Sequence, residues 1–197
     1  MGQYYRPLLI FKDGTKRSAL SHRFNNGLKL MEHSWIGNQF VNAVMYEMVD
    51  KPVRLAWVGD YSDTAVADGC NLGGGYITSA SEFLKMFTYL WGEHSSPDDL
   101  PGDSPTFTLD CKHTDCYIVN LTKRCYIDME QYFKSNGAKE WCIHPLPLLT
   151  ALGNGMGGGD YSGEVGKNDI GSWAFDEIYV THLKPSIMEA VEFCFQE

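Results

Sequence analysis

The order of the predicted secondary-structure elements is the feature that most constrains the fold of this chain. A hairpin, a helix, a strand, a helix, a second hairpin and a third helix follow one another, and a strand and a fourth helix come last. This order lacks the regular strand–helix alternation of a doubly wound parallel sheet. It therefore predicts one α+β domain over residues 1–197, with a largely antiparallel sheet and three to four helices.

Turn and strand signals define the predicted sheet. Asp13-Gly14 is a strong two-residue hairpin signal, and it separates a strand predicted at 3–11 from a returning strand at 15–20. Strand composition and turn residues recur later in the chain. Further strands are predicted at 53–58, 116–120, 124–128 and 172–181.

Helices are predicted from apolar spacing and from capping residues. Apolar residues recur at helical spacing after Asn38 and stop before Pro52, whose ring cannot continue a helix. A short helix after the second hairpin is expected to end at Asn136-Gly137. Capping boxes predict two more helices, over 79–91 and 186–195: Ser79 with Glu82, and Ser186 with Glu189.

Two stretches are predicted to lie outside regular structure. Residues 95–105, rich in Ser, Pro, Asp and Gly, predict a surface loop within the single domain. Residues 21–37 mix polar and apolar side chains without a clear period, which predicts a segment that wraps the surface.

Composition indicates a folded protein without export or membrane signals. The hydrophobic content of 44% is too high for a disordered chain. No apolar run approaches the roughly 20 residues that span a membrane, and no apolar signal segment follows Met1. The six cysteines lack the density of a disulfide-rich secreted scaffold. We therefore expect a cytoplasmic protein with reduced cysteines and no membrane partner.

The net charge of −9 is unevenly distributed along the chain. Residues 1–29 contain six Lys or Arg and one Asp, a net charge of +5, whereas residues 151–197 contain two Lys and eight Asp or Glu, a net charge of −6. The acidic majority disfavours binding to duplex nucleic acid, which requires a broad basic face. An acidic surface instead fits a protein partner with a basic groove.

A glycine-rich stretch from 153 to 163 is the first candidate ligand site. Its G-x-G-x-x-G pattern at 153, 155 and 158 resembles a dinucleotide fingerprint, but no helical stripe follows it. The stretch is therefore not predicted to bind a dinucleotide. Two interpretations are left: a loop whose backbone N–H groups bind an anion, or an irregular connection whose glycines supply positive φ angles. The candidate ligand-binding residues are Asn154, Gly155, Gly158, Gly159, Tyr161, Trp57 and Trp173.

Two Gly-Asp-Tyr-Ser strings, at 59–62 and 159–162, provide candidate acids and bases. If the two turns face each other, Asp60 and Asp160 form a carboxylate pair suited to general acid–base chemistry. The alternative is that each Asp caps its own turn through a hydrogen bond to the backbone. His33 and His144 are further candidate bases, and His144 could form a nucleophile pair with Cys142.

One cluster of soft ligands is a candidate metal site. Cys111, His113, Cys116 and Cys125 lie within 15 residues of one another. Cys116 and Cys125 have apolar neighbours in predicted strands, so buried thiols explain them better than zinc does. No metal site is predicted, and no motif specifies a cofactor.

Several strings in the chain resemble a family of uncharacterised proteins from bacteria and their phages that begin Met-Gly-Gln-Tyr-Tyr. The matching strings include Met1-Gly2-Gln3-Tyr4-Tyr5, Trp57-Val58-Gly59-Asp60-Tyr61, His144-Pro145-Leu146-Pro147 and Gly158-Gly159-Asp160-Tyr161. The resemblance implies a bacterial or phage origin and a cytoplasmic location. It implies no catalytic activity.

Two functional hypotheses follow from these observations. The first is an acidic accessory protein of a phage, mobile element or bacterium that binds, and by binding inhibits, a macromolecular partner. The second is a small hydrolase or transferase that acts on a nucleotide or other phosphorylated ligand at the 153–163 loop. Asp60, Asp160, His144 and His33 would carry its chemistry.

Overall fold

The computed structural model describes residues 3–62, 112–138, 141–153 and 169–195, which form one mixed sheet and three helices. The sheet is mostly antiparallel, so the predicted single-domain α+β fold is confirmed. The helix predicted at 79–91 and the loop predicted at 95–105 lie outside the described residues.

In the described ranges, eight strands form the sheet in the order β2-β1-β3-β7-β4-β5-β8, with β6 paired to β3 outside this path. The strands are β1 (Tyr5–Phe11), β2 (Lys16–Ser18), β3 (Val53–Gly59), β4 (Tyr117–Asn120), β5 (Cys125–Asp128), β6 (Ala151–Leu152), β7 (Glu177–Thr181) and β8 (Glu189–Ala190). Strand β2 therefore lies at one end of the sheet and β8 at the other.

The two predicted hairpins are confirmed. In the β1–β2 turn, Gly14 has a φ of +85°, which explains the glycine, and Asp13 Oδ1 accepts a hydrogen bond from Thr15 N at 2.9 Å. Strands β4 and β5 pair in register, with Ile118 opposite Ile127.

Two pairings are parallel and were not predicted. Strand β6 runs parallel to β3, with Val58 opposite Leu152, and β8 runs parallel to β5, with Tyr126 opposite Ala190. The antiparallel strand β7 pairs with the beginning of β3, whereas β6 pairs with its end. Both short parallel strands depend on tertiary contacts rather than on a local turn.

Three helices accompany the sheet in the described ranges: α1 (Gln39–Glu47), α2 (Met129–Ser135) and α3 (Pro145–Leu149). Each begins at a capping side chain. Asn38 Oδ1 accepts from two backbone N–H groups of α1, Asp128 Oδ1 accepts from two of α2, and His144 Nδ1 accepts from Leu146 N. The first two helices confirm their predictions, and α3 was missed. Pro145 at its first position is the signal that could have predicted it.

The predicted C-terminal helix is wrong. Residues 186–188 form bends, Glu189–Ala190 form β8, and residues 191–195 contain no helix. Burial alternates from Val191 to Phe195, with the odd-numbered side chains turned inward and Glu192 and Cys194 exposed. This period of two is that of a strand, and it outweighs the capping-box signal at Ser186.

Two other predicted segments need correction. Strand β7 covers only the second half of the predicted 172–181 strand, because residues 171–175 form turns in which Phe175 has a φ of +60°. The 21–37 segment does not simply wrap the surface, since it contains 3-10 turns and buries Leu30, His33 and Ile36.

The core packs α1 and the 21–37 segment against the sheet. Its largest fully buried side chains include Trp57 on β3, Phe40 and Met45 on α1, and Phe195 near the C-terminus. No helix among the described residues is long and apolar enough to cross a membrane.

Candidate functional site

The carboxyl ends of β3 and β6 bring two of the predicted site segments together. Because these strands are parallel and Val58 lies opposite Leu152, the Gly59-Asp60 turn and Gly153 emerge from the same edge of the sheet. Ser62 Oγ donates a hydrogen bond to Leu152 O and so ties the turn to β6. In open α/β sheets, ligands bind outside the carboxyl ends of parallel strands, so this edge is a reasonable place for a site.

Gln3 and Tyr5 fill the space between the two glycines at this edge. The Tyr5 hydroxyl donates to Gln3 Oε1 at 2.6 Å, and Gln3 is completely buried. A Cβ on Gly153 would lie less than 3.0 Å from both of these side-chain oxygens, and a Cβ on Gly59 would lie 2.8 Å from Gln3 Cδ. Both glycines are therefore explained by close packing beneath the edge.

Asp60 is held by the backbone of the neighbouring strand segment. Its Oδ1 accepts from Tyr4 N at 2.9 Å, and its own N–H donates to Tyr4 O at 2.9 Å. The carboxylate therefore caps a backbone N–H group at the sheet edge. That N–H group belongs to Tyr4 and not, as the alternative predicted, to the turn that contains Asp60. Asp160 and the candidate ligand residues Asn154, Gly155, Gly158, Gly159 and Tyr161 lie outside the described residues.

His33 lies in the interior with both ring nitrogens engaged. Nε2 accepts from Trp57 Nε1 at 3.0 Å, which leaves Nδ1 as the protonated nitrogen that donates to Gly27 O at 3.1 Å. Burial lowers the pKa of His33 to about 4, although the Gly27 carbonyl and the charge of Glu32 oppose the shift. At neutral pH this histidine is an uncharged link between β3 and the 21–37 segment.

His144 is also buried and serves as the N-cap of α3. Its Nδ1 accepts from Leu146 N at 3.2 Å, so the proton of the neutral ring lies on Nε2, which has no hydrogen-bond partner among the described residues. Burial, followed by charge on His113, lowers the pKa of His144 to about 3. Cys142 is buried as well, with Sγ 3.7 Å from Ile143 O. Neither half of the proposed Cys142–His144 pair faces solvent.

The two tryptophans predicted to bind a ligand are core residues. Trp57 is fully buried between His33 and Phe40, with ring centroids 6.4 and 6.2 Å away. Trp173 is buried against Phe193 at 5.7 Å. Neither ring is exposed for stacking on a ligand.

Cys116 and Cys125 of the candidate metal site are buried. Burial raises the pKa of the Cys116 thiol to about 12 and that of Cys125 to about 11, so both are protonated at neutral pH. Within the described ranges, no three His, Cys, Asp or Glu side chains form a group that could hold a metal ion. Cys111 lies outside those ranges.

Sequence reasoning missed the surface at the β8 end of the sheet. Leu183 and Ile187, in the segment between β7 and β8, are 79% and 84% exposed. The following residues Glu189 and Glu192 are exposed carboxylates. We call these four residues the acidic edge.

The described residues thus define an α+β protein in which both candidate histidines, His33 and His144, are buried and neutral. The chain matches none of the protein-family models, curated proteins or solved structures with which it was compared.

Proposed function

We propose that this protein is an interaction protein that binds a protein partner carrying a basic groove, and that the acidic edge makes the contact. One observation carries the proposal: two apolar side chains more than three-quarters exposed, Leu183 and Ile187, lie in the segment between β7 and the edge strand β8, and the exposed carboxylates of Glu189 and Glu192 follow them in the chain. Apolar anchors bordered by charge are typical of protein-binding surfaces. By covering a basic groove, the protein would block the other ligands of its partner.

The distribution of charge along the sheet supports this orientation. The exposed lysines Lys12 and Lys16 lie at the β1–β2 end, and the acidic edge lies at the opposite end. Arg124 and Lys184 are also exposed near the acidic edge, so the attraction of a basic partner depends on the carboxylates of Glu189 and Glu192 themselves. The resemblance to bacterial and phage proteins is consistent with an accessory or inhibitory role.

The chemistry of the described histidines further favours binding over catalysis. His33 and His144 are buried, neutral and committed to structural hydrogen bonds, so neither can exchange protons with a substrate at the surface. The enzyme hypothesis thereby loses two of its four candidate residues.

Affinity capture with three baits tests the proposal. The baits are the unaltered protein, the double variant Leu183→Ser/Ile187→Ser, and the control Tyr61→Ser, which removes an exposed aromatic ring at the other candidate surface. We expect one basic protein to be captured by the first and third baits at low salt and lost at high salt. With that protein purified, the double variant should raise Kd at least about tenfold, which is about 1.4 kcal/mol. Equal capture by all three baits, or no capture at low salt, would overturn the proposal.

A small hydrolase or transferase acting on a nucleotide or phosphorylated ligand remains the second candidate. The parallel ends of β3 and β6 favour it, because they direct Asp60 and Gly153 to one edge. It predicts that a nucleotide raises the melting temperature of the unaltered protein but not of Asp160→Ala. An unchanged melting temperature across nucleotides, inorganic phosphate and divalent cations would exclude it.

A further inference from the structure

A narrow groove lies next to the acidic edge, between α2 and residues 190–193. It has a volume of about 130 Å³ and is lined by Asp128, Gln131, Tyr132, Ser135, Glu192 and Phe193, among others. Sites for nucleotide-sized ligands are roughly 300–1,000 Å³, so this groove is too small for such a molecule. Its size suits one side chain of a partner.

The charge of the groove selects a cation. Among the described residues that line it, two are carboxylates, Asp128 and Glu192, and none is basic. On the adjoining surface of α2, Lys134 Nζ pairs with Glu130 Oε1 at 2.5 Å. Asp128 Oδ1 already accepts two backbone N–H groups of α2, but a carboxylate has acceptor capacity for further donors.

A hydrogen bond and aromatic packing connect the walls of the groove. Gln131 Nε2 donates to Glu192 Oε1 at 2.6 Å and so connects one wall to the other. The Tyr132 hydroxyl donates to Ile143 O, and the Phe193 ring is held against Trp173 and Phe195. Such preorganisation reduces the entropy lost when a side chain is bound.

We propose that this groove receives a single arginine side chain of the protein partner. The inference rests on the proposed function, since it names the chemistry that the acidic edge recognises. A planar guanidinium can donate to Asp128 and Glu192 together and lie against an aromatic ring. Leu183 and Ile187 would then provide apolar contact beside a charged anchor.

A peptide titration followed by NMR tests the groove directly. The probes are acetyl-Gly-Val-Arg-Val-Gly-amide and the same peptide with citrulline, the uncharged isostere of arginine. The arginine peptide at millimolar concentration should shift the Gln131 side-chain NH₂ signals and the Phe193 amide signal saturably. The citrulline peptide should bind at least about tenfold more weakly. Equal shifts from both peptides, or shifts that avoid the groove, would contradict the inference.

Two variants that each remove one negative charge separate the groove from general electrostatics. Glu192→Gln alters the groove, whereas Asp50→Asn alters an exposed residue with a φ of 51°, a conformation that Asn also tolerates. Glu192→Gln should weaken arginine-peptide binding at least about fivefold, and Asp50→Asn should leave it unchanged. Equal weakening by both variants would mean that only net charge matters and would overturn the site.

The titration and the capture experiment fail independently. If the arginine peptide binds in the groove but no bait captures a protein, the groove still binds arginine, whereas the proposed function is contradicted. If a partner is captured through Leu183 and Ile187 but the arginine and citrulline peptides bind equally, the proposed function is supported, whereas the groove is not an arginine site.

A second copy of the chain is the competing occupant, because its exposed Lys12 and Lys16 are also cationic. In that case sedimentation would show concentration-dependent association that Glu192→Gln abolishes. That result would overturn the assignment to a different protein. A monomer at all concentrations, together with saturable arginine binding, would support it.

Discussion

His33 and His144 illustrate how burial decides the chemistry of a residue. Each imidazole accepts a hydrogen bond at one nitrogen, from Trp57 Nε1 or from Leu146 N, and an imidazolium could not accept it. The lowered pKa values of about 4 and about 3 have the same physical origin, because a buried site disfavours the charged ring. Neutrality is therefore a condition of the folded state at both positions.

The stability of the protein should consequently fall on mild acidification. Both pKa values lie below the unfolded value of 6.5, so between that pH and about 4 the unfolded chain binds more protons than the folded one. The free energy of unfolding has its full value above pH 6.5. Below pH 6.5, each histidine lowers it by up to about 1.4 kcal/mol per pH unit. Urea unfolding at pH 7, 6 and 5 measures this slope.

Single-histidine variants identify which residue causes the loss of stability in acid. His33→Gln should make the slope between pH 6 and 5 shallower, whereas His22→Gln, at an exposed position, should leave it unchanged. An unchanged slope in His33→Gln would show that the acid sensitivity arises elsewhere.

A second residue-scale prediction concerns the buried pair Asn120 and Asp176. Asn120 Nδ2 donates to Asp176 Oδ2 at 2.7 Å, and Lys123 Nζ lies 3.5 Å from the same oxygen. Asp176→Ala leaves a fully buried amide without this acceptor, which should reduce the free energy of unfolding by about 1–3 kcal/mol. Lys123→Met, at a half-exposed side chain, should change it by less than about 1 kcal/mol. Chemical denaturation of both variants checks this, and equal losses would contradict the assigned role of Asp176.

Elements with a local signal could be predicted from the sequence. Asp13-Gly14 defined the first hairpin, and Asn38 with its apolar stripe defined α1. The C-terminal helix was mispredicted because a capping box outweighed a five-residue alternation whose meaning depends on the neighbouring strand β5. The exposure of the acidic edge was not predicted for the same reason, since it depends on residues 186–195 not forming a helix.

Helix α2 offers a direct measurement of one capping interaction. Asp128 Oδ1 accepts from Glu130 N and Gln131 N, both at 3.1 Å. Asp128→Ala should lower the free energy of unfolding by about 1 kcal/mol, whereas Asp128→Asn retains the acceptor and should cost much less. Thermal unfolding of the two variants separates the cap from the charge. If both variants lose equal stability, the negative charge rather than the hydrogen bonds stabilises the helix.

At the scale of the whole molecule, strand order could not be derived from the sequence. The β3–β6 and β5–β8 pairs join segments more than 60 residues apart, and no local turn specifies either partner. The same is true of the candidate sites, because the Gly59-Asp60 turn reaches the same sheet edge as Gly153, and Gln131 of α2 reaches Glu192, only through these pairings. The burial of His33 and His144 also depends on the completed fold, so the sequence identified reactive residue types but not their accessibility.

The end of the chain should contribute strongly to the stability of the whole fold. Phe195 is fully buried and stacks on Phe193, with ring centroids 6.1 Å apart, and Phe193 in turn packs on Trp173. Phe195→Ala should therefore lower the free energy of unfolding by about 3–5 kcal/mol, as large-to-small changes in a core do. Cys194→Ala, at the exposed neighbouring position, should change it by no more than about 0.5 kcal/mol. Urea denaturation compares the two variants. If Phe195→Ala were as mild as Cys194→Ala, the C-terminal segment would be peripheral, and β8 together with the groove beside it would lose its structural support.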